Sequence, residues 1–279
     1  MDAVLLLHKP SGMTSFDAVN RCRRVLHEKK AGHTGTLDPN ASGLMIILFG
    51  RYTKFLPYCV KNHKHYEAGF CFGIDTDTQD IWGNRITDRE PHPHTLEEVQ
   101  AAADSFLGEG TQVPPMYSAI KVNGRKLYDL ARKGETIERE PRPVTIDRMD
   151  VTQDPDGWKL SATVSGGTYI RTLIHDLGIK VNDCAVMTSL VRTGIETISL
   201  SEACTLEQLQ TRPAFVPAER VLDPSIPRME APDYDAVIHG RSISMDSDTP
   251  LVLFEKEGQV LAAYTKREDD RYHCQRGLL

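Results

Sequence analysis

The residues of this chain best suited to chemistry are Asp38, Tyr66 and Arg171, each set at a loop or strand end. Asp38 is the one carboxylate in the run Gly-His-Thr-Gly-Thr-Leu-Asp-Pro-Asn-Ala-Ser-Gly (32–43), and an apolar stretch, Leu44 to Phe49, follows directly. Loops carried on rigid strands are where catalytic groups tend to sit, although Asp-Pro also makes an ordinary turn in which Asp caps its own backbone. Tyr66 follows the basic run Lys61-Asn62-His63-Lys64-His65, and the stretch 165–172 sets Tyr169 two residues before Arg171. Leu190-Val191-Arg192 adds a further apolar–cation pair. An aspartate that an arginine keeps ionised is a nucleophile toward carbon. Aromatic rings beside such a pair can stack on a planar base.

Other chemistries lack their residues. The 32–43 loop has no lysine, so it is not a Walker A phosphate loop, and no G-x-G-x-x-G or G-x-S-x-G occurs. His63 with His65, and His92 with His94, form H-x-H pairs in polar segments without supporting Cys or carboxylate spacing. They read as solvated loop histidines rather than metal ligands. The six cysteines are scattered with no C-x-x-C, which fits reduced cytoplasmic thiols better than a disulfide framework or a zinc site. No apolar run is long enough for a membrane helix, and the N-terminus has neither a basic leader nor a small-residue cleavage site.

These groups need a scaffold, and the pattern supplies one. Ala3–Leu7, Leu44–Phe49, Tyr66–Gly73, Val144–Val151 and Trp158–Val164 read as strands, the last two joined by the turn Asp154-Pro155-Asp156-Gly157. A helix over about Phe16–His27 is capped by Thr14 or Ser15, a second over about Leu96–Phe106 by Thr95 with Glu98 in a capping box, and a third over Thr168–Leu177 is stopped by Gly178. Asp75–Asp80 reads as a polar loop and residues 85–94 as a connector. Residues 211–232 hold Pro213, Pro217, Pro224, Pro227 and Pro232, a composition that suits a linker. Beyond it, Leu251–Phe254 and Val260–Tyr264 flank a hairpin turn, so the tail is a small, mostly β module.

The net charge is −6 over 279 residues, which argues against a nucleic-acid partner until its distribution is read. Residues 1–66 carry ten Lys/Arg against four Asp/Glu, and residues 120–143 seven against four. Positive charge is therefore gathered around the Asp38 loop and in one later block, where it can steer a polyanion despite the negative total.

Seven blocks in order carry a family resemblance: LHKPSGMTS (7–15), GHTGTLDPNASG (32–43), KHY (64–66), GIDTDTQDIWG (73–83), PPMYSAIKVNGRKLYDLARKG (114–134), GGTYIRTLIHDLG (166–178) and LVRTGI (190–195). The chain resembles the TruB family of bacterial tRNA pseudouridine-55 synthases. The resemblance implies an α+β fold: a large catalytic domain (1–228) with a mixed, mostly antiparallel sheet flanked by helices, and a small PUA-like C-terminal module (229–279). It further implies an RNA-clamping segment at about 112–143.

By the same resemblance Asp38 matches the catalytic nucleophile, Tyr66 the tyrosine that stacks on the target base, and Arg171 the arginine that pairs with the aspartate. His33 matches the histidine that fills the space left by the flipped uridine, and Tyr169 and Leu190 line the base pocket. Lys9, in the first block, belongs with the substrate-binding residues. The implied reaction turns a tRNA uridine, U55 of the T stem-loop, into pseudouridine, with no cofactor, no metal and no membrane, in a cytoplasmic monomer. A non-catalytic RNA chaperone would use the same basic blocks but has no need of Asp38, Tyr66 and Arg171 together. Two positions depart from the family: Ser165-Gly166-Gly167 stands where Ser-Lys-Gly is common, one cation fewer, and Asn40 stands where an apolar residue often follows Asp-Pro.

Overall fold

The apolar run Leu44–Phe49 has no polar face, as a strand buried on both sides requires. In the structure, a computed structural model that describes residues 1–278 apart from Ala119, Asn123 and Arg132 and apart from the side chains of Lys121 and Lys126, it lies in the strand Ser42–Phe49. The chain divides into two compact units, one of Met1–Lys61 with Ile198–Leu279, the other of Asn62–Thr197.

In the first unit the strand Ala3–Lys9 runs antiparallel to Ser42–Phe49, with Ala3 opposite Phe49 and Lys9 opposite Gly43. The short strand Ala31–His33 pairs with the same partner. The helix Ser15–Val25 begins at a Thr14 cap whose hydroxyl accepts from the Asp17 N–H while the Asp17 carboxylate accepts from Thr14 N–H, a reciprocal box that settles the start left open between Thr14 and Ser15. It buries Ala18, Val19 and Cys22.

The proline-rich stretch expected as a linker is bound to this unit instead. Phe215–Val216 pairs with Val4 and Leu5, Leu6 N–H donates to Ala214 C=O at 3.0 Å, and Val221 is fully buried. Proline lacks an N–H but is tolerated at a sheet edge, so its density marked a strap rather than a free connection. From Arg228 the chain forms a separate five-stranded sheet in the order Arg228–Glu230, Leu251–Lys256, Gln259–Lys266, Arg271–Gly277, Ile243–Ser244. Val252, Phe254, Tyr264 and Tyr272 fill its core. The expected hairpin is present, and its two turn residues, Glu257 and Gly258, both have positive φ, as a type I′ turn demands.

In the second unit an antiparallel sheet runs Ala185–Ile195, Lys64–Phe72, Gly157–Val164, Arg142–Asp154, Gly108–Gln112. The helices Leu96–Asp104 and Ile170–Lys180 pack against Arg142–Asp154 and Ala185–Ile195 respectively. Thr95 caps the first of these by accepting from Glu98 N–H at 3.1 Å. The second does not stop at Gly178. It ends in a Schellman motif in which Asp183 N–H donates to Gly178 C=O (2.9 Å) and Asn182, at φ 56°, takes the left-handed position. Gly178 serves packing, because a Cβ there would lie 2.5 Å from the Ala185 nitrogen.

The Asp75–Asp80 loop and the 85–94 connector also hold more structure than their composition suggests. Ile74–Thr76 and Arg85–Asp88 form a two-stranded ribbon. His94, expected in a solvated loop, is buried: its Nε2 lies 3.1 Å from an Asp183 carboxylate oxygen and its ring packs on Phe72 at 4.4 Å. Residues 113–141 leave the sheet at Gln112 and return at Arg142, the residue opposite it. This excursion has a small core of its own, Met116, Leu127 and Leu130. The fold is α+β, and no helix among the described residues is long and apolar enough to cross a membrane.

Candidate active site

The Asp38 loop is fixed from beneath by two buried polar side chains of the first sequence block. Ser15 Oγ accepts from Leu37 N–H at 2.8 Å and donates to Leu37 C=O at 3.0 Å. Lys9, with no exposed surface, points its ammonium at the carbonyls of Pro10 (2.9 Å), Met13 (2.8 Å) and Pro39 (3.1 Å). Gly12 N–H donates to Pro39 C=O as well (3.0 Å), and Ala41 N–H to Asp38 C=O (3.1 Å). The residues on either side of Asp38 are therefore held, while the aspartate itself is half-buried and reaches the surface. His33 closes the short strand that leads into this loop, with Ile47 opposite it. Lys9, fully buried, thus supports the backbone around Asp38.

In the second unit the other expected residues converge on one sheet and one helix start. Tyr66, nearly buried, lies between Ala162 and Arg192 on its two neighbouring strands. Leu190 is opposite Ala68, which makes it a diagonal neighbour of Tyr66. Tyr169 is the cap residue of the helix Ile170–Lys180, and its ring lies 5.6 Å from the Arg171 guanidinium carbon. Arg171 is 4% exposed. Its Nη2 donates to Tyr117 C=O at 2.6 Å and its Nη1 to Thr78 C=O at 3.3 Å, with Asp80 Oδ2 at 3.8 Å.

Three residues important to this arrangement carried no role at the site in the sequence reading. Asp80 is set by its own loop: Thr76 Oγ1 donates to its carbonyl (2.7 Å), while Thr78 Oγ1 (2.8 Å) and Trp82 N–H (3.2 Å) donate to its carboxylate. It stood in the quoted block 73–83, yet one carboxylate among three in a polar loop has no distinguishing spacing. Gln112 bonds both backbone groups of Tyr169. Ser15 was visible only as a possible helix cap.

The site has an unusual electrostatic neighbour. Lys64, two residues before Tyr66, is held in an environment where burial, with the charge of Arg192 adding to it, pushes its ammonium down to about 8. Among the described residues no group of three or more His, Cys, Asp or Glu is placed to hold a metal ion.

Residues 23–170 match the family model for the TruB family pseudouridylate synthase N-terminal domain. This chain belongs to the TruB family. Curated relatives agree over nearly the full length: tRNA pseudouridine synthase B of Lacticaseibacillus paracasei is 39% identical over 290 residues, covering 98% of this chain and 96% of the relative. The enzyme of the same name from Bacillus pumilus is 37% identical over 289 residues, covering 95% and 93%. Among solved structures, a chain of a Cbf5-Nop10-Gar1 complex matches with a TM-score of 0.73 at 20% identity, covering 99% of this chain and 85% of that one. That likeness is one of fold. The TruB assignment makes the chain a pseudouridine-forming isomerase, the class expected from its seven blocks.

Proposed function

We propose that this TruB family member isomerises U55 in the T stem-loop of tRNA to pseudouridine, with Asp38 as nucleophile. The observation that carries this reading is the Asp38 loop, whose backbone is pinned on both sides of the aspartate by Ser15 and Lys9 while the aspartate itself is only half-buried. A turn aspartate with only a capping duty has no use for two buried polar supports.

In this reading the target base leaves the stack at a cost of a few kcal/mol. Stacking on Tyr66, worth ~1–3 kcal/mol, offsets much of it. His33 fills the vacated place, and Tyr169 and Leu190 line the pocket. The N1–C1′ bond breaks, the uracil turns, and C5 bonds to C1′; the proton leaves C5 and N1 gains one. Arg171 supplies the positive charge that keeps Asp38 ionised, and its guanidinium suits that task because two carbonyls fix its plane. Lys9 contributes to substrate binding through the loop it holds.

Residues 1–228 form the catalytic domain in this proposal. The excursion within 112–143 grips the tRNA with the positive charge of its block, and the sheet of 229–279 is a PUA-like module that adds RNA contact. The isomerisation is redox-neutral and consumes no second substrate, so no cofactor is called for. Every proposed group comes from one chain, so a monomer suffices, and six free thiols suit the cytoplasm.

The test is incubation with an unmodified tRNA transcript followed by carbodiimide mapping. A reverse-transcription stop reporting pseudouridine at position 55 is expected with the native protein. Asp38→Asn is expected to bind the transcript and give none. Binding without modification by the native protein would make it an RNA chaperone instead.

A further inference from the structure

Gln112 is the last residue of the strand Gly108–Gln112, at the root of the 113–141 excursion, and it is 6% exposed. Its side-chain amide reaches Tyr169 and bonds both backbone groups of that residue: Nε2 donates to Tyr169 C=O at 3.1 Å, and Oε1 accepts from Tyr169 N–H at 2.8 Å. This is the pair of bonds a neighbouring strand would have supplied. Tyr169 starts the helix Ile170–Lys180 and makes no side-chain cap bond of its own. Two residues on, Arg171 donates to Tyr117 C=O, inside the excursion. The root of the excursion and the start of the helix are thus joined twice, once through the Gln112 amide and once through the Arg171 guanidinium.

We propose that Gln112 is a positioning residue: its amide fixes the backbone of Tyr169 and so sets where Tyr169 and Arg171 present their side chains to the target base. This rests on the reading above that Tyr169 and Arg171 handle the base. Only an amide, or a group with one donor and one acceptor in the same geometry, satisfies both Tyr169 groups. Losing the first leaves Tyr169 C=O with only its helix bond from Leu173 N–H (3.0 Å), and losing the second removes the side-chain partner of Tyr169 N–H.

Gln112→Glu separates positioning from bulk. As a carboxylate it accepts from Tyr169 N–H but turns lone pairs toward Tyr169 C=O; as a protonated carboxyl it again offers one donor and one acceptor. Arg142 stands opposite on the paired strand and Arg171 two residues beyond Tyr169; neither guanidinium gives up its proton in the range used. At pH 8, kcat on tRNA transcript is expected to fall about tenfold, the cost of one such bond, with KM changed less than about twofold. Burial at this position favours the neutral carboxyl, so the ratio of variant to native kcat is expected to climb as the pH is lowered to 5. Gln112→Leu is expected to stay low at every pH. A Gln112→Glu ratio that is flat with pH, or a loss of thermal stability with kcat unchanged, overturns the proposal. Should Gln112→Glu fail to fold at pH 8, refolding at pH 5 decides: an active enzyme there supports the proposal and an inactive one overturns it. Asp38→Asn in the same assay keeps the two readings apart. If that variant is active, the Asp38 reading falls; if it is dead while Gln112→Glu behaves as native, only the Gln112 proposal falls.

Discussion

Ser15 grips Leu37 by both its backbone groups, accepting from the N–H at 2.8 Å and donating to the C=O at 3.0 Å, across 22 residues of chain. One hydroxyl thereby replaces a length of sheet in fixing the residue that precedes Asp38. Both the hydroxyl and the groups it meets are buried, so the bond has no water to fall back on.

Ser15→Ala leaves Leu37 N–H and C=O without that partner. The expected cost is about 1–3 kcal/mol, read as a lower melting temperature. Because the loop around Asp38 loosens, kcat is expected to fall about tenfold or more while tRNA affinity changes little. Ser15→Thr, which keeps the hydroxyl, is expected to recover more of the lost kcat than Ser15→Cys. Steady-state kinetics on the transcript check this.

Arg171→Lys keeps the charge but loses the fork. A single ammonium cannot donate along two fixed directions to Tyr117 C=O and Thr78 C=O in the way a planar guanidinium does. A loss of kcat on the order of 100-fold is expected, since two buried bonds are disturbed. Single-turnover pseudouridine formation measures it, and near-native turnover would remove Arg171 from the proposed machinery.

Gly178→Ala introduces a Cβ 2.5 Å from the Ala185 nitrogen and 2.7 Å from its Cβ. Alanine favours helix, so on propensity alone the change would stabilise. Contact with backbone decides the sign the other way, because the strand Ala185–Ile195 must shift. A net loss of about 1–3 kcal/mol is expected, seen as a leftward shift in urea unfolding.

His175 gives stability a pH dependence. A hydrogen bond to Asp176 (3.5 Å) raises its pKa above the usual 6.5; burial opposes this, and the Asp75 charge (3.6 Å) adds to it. A folded-state value above the unfolded one means the contribution is complete below about pH 6.5 and disappears as pH rises through the raised value. The melting temperature of the native protein is therefore expected to fall across that window more than that of His175→Gln, as differential scanning fluorimetry between pH 6 and 8.5 would show.

Much of this molecule was legible in its residues. The doubly buried strand after Asp38 announced itself by an apolar run with no polar face, the helix Ser15–Val25 by its cap, and the tail hairpin by the stretch Glu255-Lys256-Glu257-Gly258-Gln259 between two apolar runs. Those are local signals, written within a few residues of the feature they specify. Gly178 and the proline strap misled because composition reports backbone freedom, not what a residue packs against. Gly178 is absent a side chain because Ala185 is close, and Phe215–Val216 is ordered because Val4 and Leu5 offer an edge.

What the sequence determined by itself is the family, the α+β class and the identity of the candidate groups Asp38, Tyr66 and Arg171, since these lie in blocks whose order and spacing are read along one dimension. What tertiary structure alone decided is who holds them. Ser15 beneath Leu37, Lys9 beneath Pro39, Gln112 against Tyr169 and Asp80 near Arg171 are pairings separated by 22, 30, 57 and 91 residues. Hydrogen bonds depend on a few tenths of an ångström, and no periodicity in a chain encodes a distance between residues that folding brings together.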